Sequence, residues 1–179
     1  MSEILNFRDV GEFVNIIASR QIMIEKHLFR GGKIDRVNSS EEIGYAQTVI
    51  NLRNSDVPLQ KMENVKYIHF PIANKIEKYD TQLPDVRKWL NDILAYISEP
   101  DLTLPVYIHC SSGKYLTGIV VASLFWLLKI PEEIIKEEYL LSDGEISFDR
   151  INSSIRGIES RDNYFNRVDI ENLEKNFLQ

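Results

Sequence analysis

Apolar residues recur at helical spacing in three segments of the chain and at strand-like density in three others. The helical segments are 10–18, 83–97 and 117–129, and the segments rich in β-branched or aromatic residues are 48–53, 65–70 and 104–109. Apolar residues every three or four positions predict helices, and short apolar runs bounded by polar residues or proline predict strands. The chain therefore alternates strands with helices. This pattern predicts one α/β domain over residues 1–179, with a mainly parallel central sheet flanked by helices.

Weaker patterns fill the intervals between these segments. Two adjacent glycines in residues 28–32 predict a break in regular structure. Residues 39–42, Ser-Ser-Glu-Glu, predict an N-cap and a helix that ends before Gln47. Pro131 predicts the start of another helix, closed by Gly144. We expect one or two short helices in the remaining residues.

Composition narrows the class of protein. Apolar residues make up 44% and charged residues 27%, as in ordinary globular proteins, and the net charge of -6 provides no overall field that attracts nucleic acid. Cys110 is the only cysteine, which excludes an internal disulfide and fits a reducing compartment. Charged residues interrupt the N-terminal segment, and the longest apolar run, residues 118–128, is shorter than the roughly 20 residues of a membrane span. We expect a cytoplasmic protein without a signal peptide, a transmembrane segment or a nucleic-acid partner.

Candidate chemistry lies where the strand predicted over 104–109 runs into Cys110 and a helix follows. Backbone amides that converge at a helix N-terminus bind anions, and they favour the thiolate form of a cysteine placed among them. Cys110 is therefore a candidate nucleophile. Gly113 permits a tight turn, and the Thr117 hydroxyl is suited to donate a hydrogen bond to the sulfur. The alternative is that Cys110 is an inert buried cysteine.

The residues from His109 to Gly118 read His-Cys-Ser-Ser-Gly-Lys-Tyr-Leu-Thr-Gly, and they resemble the phosphate-binding loop of protein tyrosine and dual-specificity phosphatases. Segments 6–11, 28–32, 49–53 and 139–142 resemble, in the same order, a bacterial tyrosine phosphatase branch. The likeness therefore covers about residues 6–142. It implies that Cys110 is the nucleophile and that His109 supports the loop. It also implies that the phosphate-binding residues are Ser111, Ser112, Gly113, Lys114, Tyr115, Leu116 and Thr117.

Two positions depart from this family. Leu116 stands where the family has an arginine that holds two phosphoryl oxygens, and Tyr115 stands where the bacterial branch usually has an aspartate. An isobutyl group donates no hydrogen bond, so we expect Leu116 to pack against the following helix and hydrolysis to be impaired. Lys114 offers the phosphate a point charge instead, or it is a solvated surface lysine.

The resemblance also implies a general acid on a loop about thirty residues before the cysteine. Asp80 occupies that window, with Glu77 and Asp85 as alternatives. His109 has the alternative of a purely structural role. The arginines in the matched segments, Arg8, Arg30 and Arg53, either support the loop or form ordinary surface ion pairs.

These residues predict a tyrosine phosphatase-like protein whose hydrolysis is impaired or absent and which binds a phosphorylated protein or a phosphoinositide-like ligand. Inorganic phosphate or sulfate is expected to bind at the loop. The alternative is an active phosphomonoester hydrolase that forms a Cys110 phosphoenzyme and uses another basic residue in place of the missing arginine. A fold kept only for protein contact and a sulfur-transfer enzyme are further alternatives. His27 and His69 lack partners at metal-ligand spacing, so no metal or other cofactor is predicted.

Overall fold

Five short strands form one sheet at the centre of the computed structural model, which describes residues 4–55, 62–145, 147–158 and 161–179. The strands are β1 (Arg8–Asp9), β2 (Leu28–Gly31), β3 (Thr48–Asn51), β4 (Lys66–His69) and β5 (Val106–His109). Their order in the sheet is β1-β2-β5-β3-β4. Only β1 is antiparallel to its neighbour, so the predicted mainly parallel α/β fold is confirmed.

The α-helices follow β1, β4 and β5 along the chain. The α-helices are α1 (Val10–Ala18), α2 (Pro84–Ile97), α3 (Tyr115–Leu127), α4 (Glu132–Leu140), α5 (Phe148–Gly157), α6 (Arg161–Tyr164) and α7 (Ile170–Phe177). The helices predicted over 10–18, 83–97 and 117–129 and the helix predicted after Pro131 are confirmed as α1, α2, α3 and α4. Among the described residues, no helix is long and apolar enough to cross a membrane.

Alternation along the strands creates two apolar clusters on opposite faces of the sheet. Leu28, Ile50 and Ile108 belong to the larger cluster, which also contains side chains from all of the α-helices named above. Val49 and Tyr107 belong to the smaller cluster, which packs under the segment that precedes β3. The sheet is thus covered on both faces, as a parallel sheet requires.

Three local predictions were wrong. Residues 28–31 form the buried strand β2 between β1 and β5, because pairing on both sides outweighs the weak strand preference of glycine. At Gly31 there is little room for a side chain, because a Cβ there would lie 2.5 Å from the Tyr107 hydroxyl oxygen. The helix predicted after Ser39 is a single 3-10 turn, Ser40–Ile43, which ends at Gly44 in a left-handed conformation. The C-terminal part also forms three helices, α5 to α7, instead of one or two.

Candidate functional site

Cys110 lies at the carboxyl end of β5, the central strand of the sheet, with β2 and β3 on either side. The residue is 4% exposed, and its thiol is free. Residues 110–114 form a loop that enters α3 at Tyr115, and we call residues 110–117 the Cys110 loop. The strand, loop and helix predicted from the sequence are therefore in place, at the edge of the sheet where parallel α/β proteins bind ligands.

Three consecutive carbonyl oxygens of the Cys110 loop accept hydrogen bonds from donors outside it. The pairs are Lys33 N to Ser111 O at 3.1 Å, Asn6 Nδ2 to Ser112 O at 2.9 Å and Arg30 Nη2 to Gly113 O at 3.0 Å. In a trans peptide, the C=O and N–H groups point in opposite directions, so the next three amides face away from these donors. Those amides, of residues 112–114, donate to no protein group in the described parts of the chain. The loop therefore presents a set of free N–H groups, which is an anion-binding arrangement.

Arg30 supports this loop from beneath. Its side chain is fully buried, and its Nη1 forms an ion pair with Glu138 Oε2 at 2.6 Å while Nη2 holds Gly113. Glu138 also pairs with Arg8 Nε at 2.7 Å, and its side chain is 2% exposed. Burial lowers the pKa of Arg30, and the Glu138 carboxylate opposes that change. The surface ion-pair alternative is thus wrong for Arg8 and Arg30, which belong to one buried network.

Gly113, whose carbonyl Arg30 holds, adopts a left-handed backbone conformation. Its φ is +72°, and a Cβ at this position would lie 2.3 Å from the carbonyl carbon of Gly31. A side chain would therefore collide with the end of β2 and would also be strained in the left-handed region. The predicted turn-forming role of Gly113 has this physical basis.

Lys114 and Tyr115 lie where the loop enters α3. Lys114 is only 9% exposed, and its Nζ lies 4.5 Å from the centroid of the Tyr115 ring. Among the described residues, no carboxylate pairs with Lys114. The Tyr115 hydroxyl donates to the Glu145 carbonyl oxygen at 3.2 Å, which ties the loop to the connection between α4 and α5. The solvated-surface alternative for Lys114 is therefore wrong.

Leu116 and Thr117 begin the buried part of α3. Leu116 is half-buried and packs against the larger apolar cluster, as expected for a side chain without a donor. Thr117 is fully buried, and its hydroxyl has no hydrogen-bond partner in the described residues. The hydrogen bond from Thr117 to the Cys110 sulfur is therefore not formed in this structure.

His109 is fully buried at the end of β5. Its ring stacks on Tyr107 with the centroids 5.6 Å apart, and its Nδ1 donates to the Cys110 carbonyl oxygen at 3.4 Å. Burial lowers the pKa of His109 to about 4, so the ring is neutral at pH 7. Its Nε2 has no partner within the described residues.

Asp80 is exposed on the segment between β4 and α2, and its Oδ1 accepts from the Gln82 amide at 3.1 Å. The neighbours of Asp80 are firmly held: the Ser154 hydroxyl donates to Tyr79 O at 2.8 Å, and the Thr81 hydroxyl donates to Ser154 O at 2.7 Å. The Tyr79 ring meets the Tyr115 ring edge-on at 6.4 Å. The structure thus brings the segment that carries Asp80 against the Cys110 loop.

The other acid candidates have different surroundings. Glu77 Oε1 accepts from the Tyr79 amide at 3.1 Å, which caps a turn of the same segment. Asp85 lies in the first turn of α2 and lines a separate groove of about 330 Å³ with His69. Arg53 pairs with Asp35 at 2.6 Å. No group of three or more His, Cys, Asp or Glu side chains in the described ranges is placed to hold a metal ion.

Sequence reasoning missed the functions of Asn6 and Glu138. Asn6 bridges two segments, because its Nδ2 holds Ser112 while its Oδ1 accepts from the Asp143 amide at 2.8 Å. Glu138 had a detectable signal: it lies three and four residues after Ile135 and Ile134, on the buried face of α4. A carboxylate on an apolar helix face indicates a buried cationic partner.

Known structures share this fold. The core catalytic domain of the PP-IP phosphatase SIW14 from S. cerevisiae, in complex with citrate, is 18% identical, with a TM-score of 0.57 over 79% of this chain and 93% of that chain. DUSP15 is 16% identical, with a TM-score of 0.54 over 86% of this chain and 95% of that one. Human DUSP28 is 11% identical, with a TM-score of 0.51 over 78% of this chain and 95% of that one.

The model of the tyrosine phosphatase family matches residues 1–177, which extends the likeness beyond the 6–142 recognised from the motifs. It therefore includes the C-terminal helices α5 to α7 as well as the Cys110 loop. With a cysteine loop supported by Arg30 at the end of a central parallel strand, the chain belongs to the tyrosine phosphatase family.

Proposed function

We propose that the Cys110 loop binds the phosphoryl group of a phosphorylated ligand and that Leu116 leaves it with little or no hydrolysis. The observation that carries this proposal is that three loop carbonyls accept hydrogen bonds from donors outside the loop. The amides of residues 112–114 are thereby left free for an anion. Free amides at the start of α3 bind phosphate through hydrogen bonds and through the positive end of the helix dipole. Binding through these amides therefore does not require a donor at residue 116.

Catalysis, in contrast, depends strongly on a hydrogen-bond donor at residue 116. In phosphoryl transfer, negative charge is spread over the transferred oxygens, and an arginine that stabilises this charge is worth on the order of 10³–10⁵ in rate. Leu116 supplies no such donor and packs against the core. Asp80 remains our candidate for the general acid, because its segment packs against Tyr115 through Tyr79.

The ligand is proposed to be a phosphorylated protein or a phosphoinositide-like molecule. The family is that of tyrosine phosphatases, and one structural neighbour is a PP-IP phosphatase, which supports both classes. We also propose a cytoplasmic setting and one domain over residues 1–179. The free thiol of Cys110 suits a reducing compartment.

The test combines activity with binding. Turnover of an aryl phosphate is measured for the natural sequence, Leu116→Arg, Cys110→Ser and the Cys110→Ser/Leu116→Arg double variant, and orthophosphate binding is measured by thermal stabilisation. We expect orthophosphate to stabilise the natural chain. We expect turnover to rise by several orders of magnitude in Leu116→Arg and to vanish in the double variant. Turnover at the rate of Leu116→Arg by the natural chain, abolished in Cys110→Ser, would contradict the proposal.

An active hydrolase is the second candidate, and the burial of Lys114 favours it. The Lys114 residue is 9% exposed, its Nζ lies 4.5 Å from the centroid of the Tyr115 ring, and no carboxylate pairs with it among the described residues, so its charge is uncompensated next to the loop. This alternative predicts that Leu116→Arg changes turnover little and that Lys114→Met abolishes it. Under the main proposal, Lys114→Met weakens orthophosphate binding and leaves the low turnover of the natural chain unchanged.

A further inference from the structure

The direction of the Gly113 amide depends on a side chain that precedes β1. The Gly113 N–H and the Ser112 carbonyl belong to the same peptide unit and point in opposite directions. The Ser112 oxygen accepts from Asn6 Nδ2 at 2.9 Å, and Asn6 lies 106 positions earlier in the chain. The two neighbouring peptide units of the loop are held instead by a backbone amide and by the buried Arg30 side chain. The hydrogen bond from Asn6 therefore acts on one peptide unit of the loop, that of the Gly113 amide.

Gly113 itself does not select between the two directions of this amide. Turning the Ser112–Gly113 peptide over would carry the φ of Gly113 from +72° into the negative region. Glycine populates both regions about equally, because it has no Cβ. The Gly113 carbonyl would keep its hydrogen bond from Arg30, since it belongs to the next peptide unit. The hydrogen bond from Asn6 therefore favours the direction in which the Gly113 N–H points away from the N-terminal segment.

The side-chain amide of Asn6 is itself fixed at both of its polar atoms. Its Nδ2 donates to Ser112 O, and its Oδ1 accepts from the Asp143 amide at 2.8 Å. Exchange of the two atoms would break both hydrogen bonds, because oxygen cannot donate and NH₂ does not accept. The Asn6 backbone has a φ of +55°, which asparagine tolerates better than most residues, and its carbonyl oxygen accepts from Arg8 Nη1 at 3.4 Å. Asn6 is thus placed by the buried ion-pair network to which Arg8 belongs.

We propose that Asn6 is a positioning residue of the anion site, which keeps the Ser112–Gly113 peptide in the direction whose N–H binds a phosphoryl oxygen. This inference rests on the proposed phosphate-binding function of the Cys110 loop. Without a bound anion, converging N–H groups repel one another, so the peptide turns over once the Asn6 amide is removed. The apparent affinity for phosphate then falls with the fraction of molecules in the competent direction. For one hydrogen bond of ordinary strength, the expected loss of affinity is about three- to tenfold.

NMR of a single amide tests this directly, because residues 112–113 are the one Ser-Gly step in the chain. Cell-free synthesis with ¹³C-carbonyl serine and ¹⁵N-glycine therefore gives one correlated signal, that of Gly113. In the natural chain, we expect orthophosphate to move the Gly113 proton signal downfield, and the titration midpoint gives the affinity. In Asn6→Gly, we expect the ligand-free signal to move and the midpoint to rise about three- to tenfold.

Two variants and one control isolate the hydrogen bond to Ser112. Asn6→Gly removes the side chain without adding a charge, and glycine accepts the φ of +55°. Asn6→Asp keeps an acceptor for the Asp143 amide but has no donor, so the hydrogen bond that both variants lose is the one to Ser112. Asn64→Gly is the matched control, because Asn64 is exposed, has a φ of +61° and precedes β4, at the opposite end of the parallel strands from the loop.

An unchanged midpoint and an unchanged ligand-free Gly113 signal in Asn6→Gly would overturn the inference, as would an equal loss of affinity in Asn64→Gly. A loss in Asn6→Gly with none in Asn6→Asp would assign the effect to the Asp143 contact instead. A Gly113 signal that ignores orthophosphate, while orthophosphate still stabilises the natural chain thermally, would exclude this amide from the site and leave the loop function standing. Failure of orthophosphate to stabilise the natural chain at all would refute the loop function, and the role of Asn6 with it.

Discussion

Glu138→Gln should destabilise the protein strongly, although it replaces only one atom of a side chain remote from Cys110 in sequence. In the structure, the single carboxylate of Glu138 pairs with two buried guanidinium groups, with Arg8 Nε at 2.7 Å and Arg30 Nη1 at 2.6 Å. The three side chains are between 0% and 4% exposed. A glutamine keeps one acceptor but places an amide NH₂ opposite a cation, so two buried charges lose their counter-charge.

The expected magnitude follows from that burial. Removing one partner of a buried ion pair costs about 3–5 kcal/mol, because the other charge is left without compensation in a poorly solvated site. Domains have a total free energy of unfolding of about 5–15 kcal/mol, so the variant should fold but with much less stability. Since Arg30 also holds the Gly113 carbonyl, orthophosphate binding should weaken in the same variant.

Urea unfolding monitored by circular dichroism gives the free energies of unfolding. Glu132→Gln is the matched control on α4, because Glu132 pairs with Lys136 and with the exposed Arg156 and is 22% exposed itself. Such an exposed pair is worth at most about 1 kcal/mol. A loss below that value for Glu138→Gln, or an equal loss in both variants, would refute the reasoning.

Three further predictions concern the surroundings of Cys110. Gly113→Ala should cost at least about 2 kcal/mol of unfolding free energy, since φ is +72° and the new Cβ would meet Gly31, and it should abolish orthophosphate binding; retained binding in a thermal-shift assay would speak against it. His109 has a folded-state pKa of about 4 against an ordinary 6.5, so the unfolded chain binds more protons between these pH values. Its contribution to stability is full above pH 6.5 and is lost as the pH falls towards 4, by about 3 kcal/mol in total. Urea unfolding at several pH values should therefore show a steeper decline for the natural chain than for His109→Asn, and parallel profiles would contradict this. The Tyr79 and Tyr139 hydroxyls are 2.5 Å apart and buried, so each change to Phe should cost about 1–3 kcal/mol and the double variant clearly less than the sum. Additive losses in this double-mutant cycle would show that the two hydroxyls are not coupled.

Much of the site was predictable because its signals are local. A strand that runs into Cys110, a glycine three residues later and an apolar helix are contiguous in sequence, and the structure places them as β5, the loop and α3. The support of the loop by Arg30 was not predictable in the same way. Nothing near Arg30 in sequence indicates that it reaches the Gly113 carbonyl, because the residues are 83 positions apart.

Local pattern also failed where neighbouring strands determine the conformation. The glycines of residues 28–32 predict a break, yet β1 and β5 hydrogen-bond the segment on both sides as strand β2. The 3-10 turn at Ser40–Ile43 ends early because Gly44 adopts a left-handed conformation against the Phe29 ring, where a Cβ would lie 2.4 Å away. In both cases, tertiary contacts outweigh intrinsic preference.

By itself, the sequence determined the family of folds, the position of the cysteine loop and the absence of an arginine at Leu116, since these depend on residue identity and on short spacings. The tertiary structure alone decided that Lys114 is buried, that Arg8, Arg30 and Glu138 form one network, and that Asn6 holds the Ser112 carbonyl. The physical reason is that burial and charge pairing are properties of residues distant along the chain. They become defined only when the sheet order brings β2 beside β5.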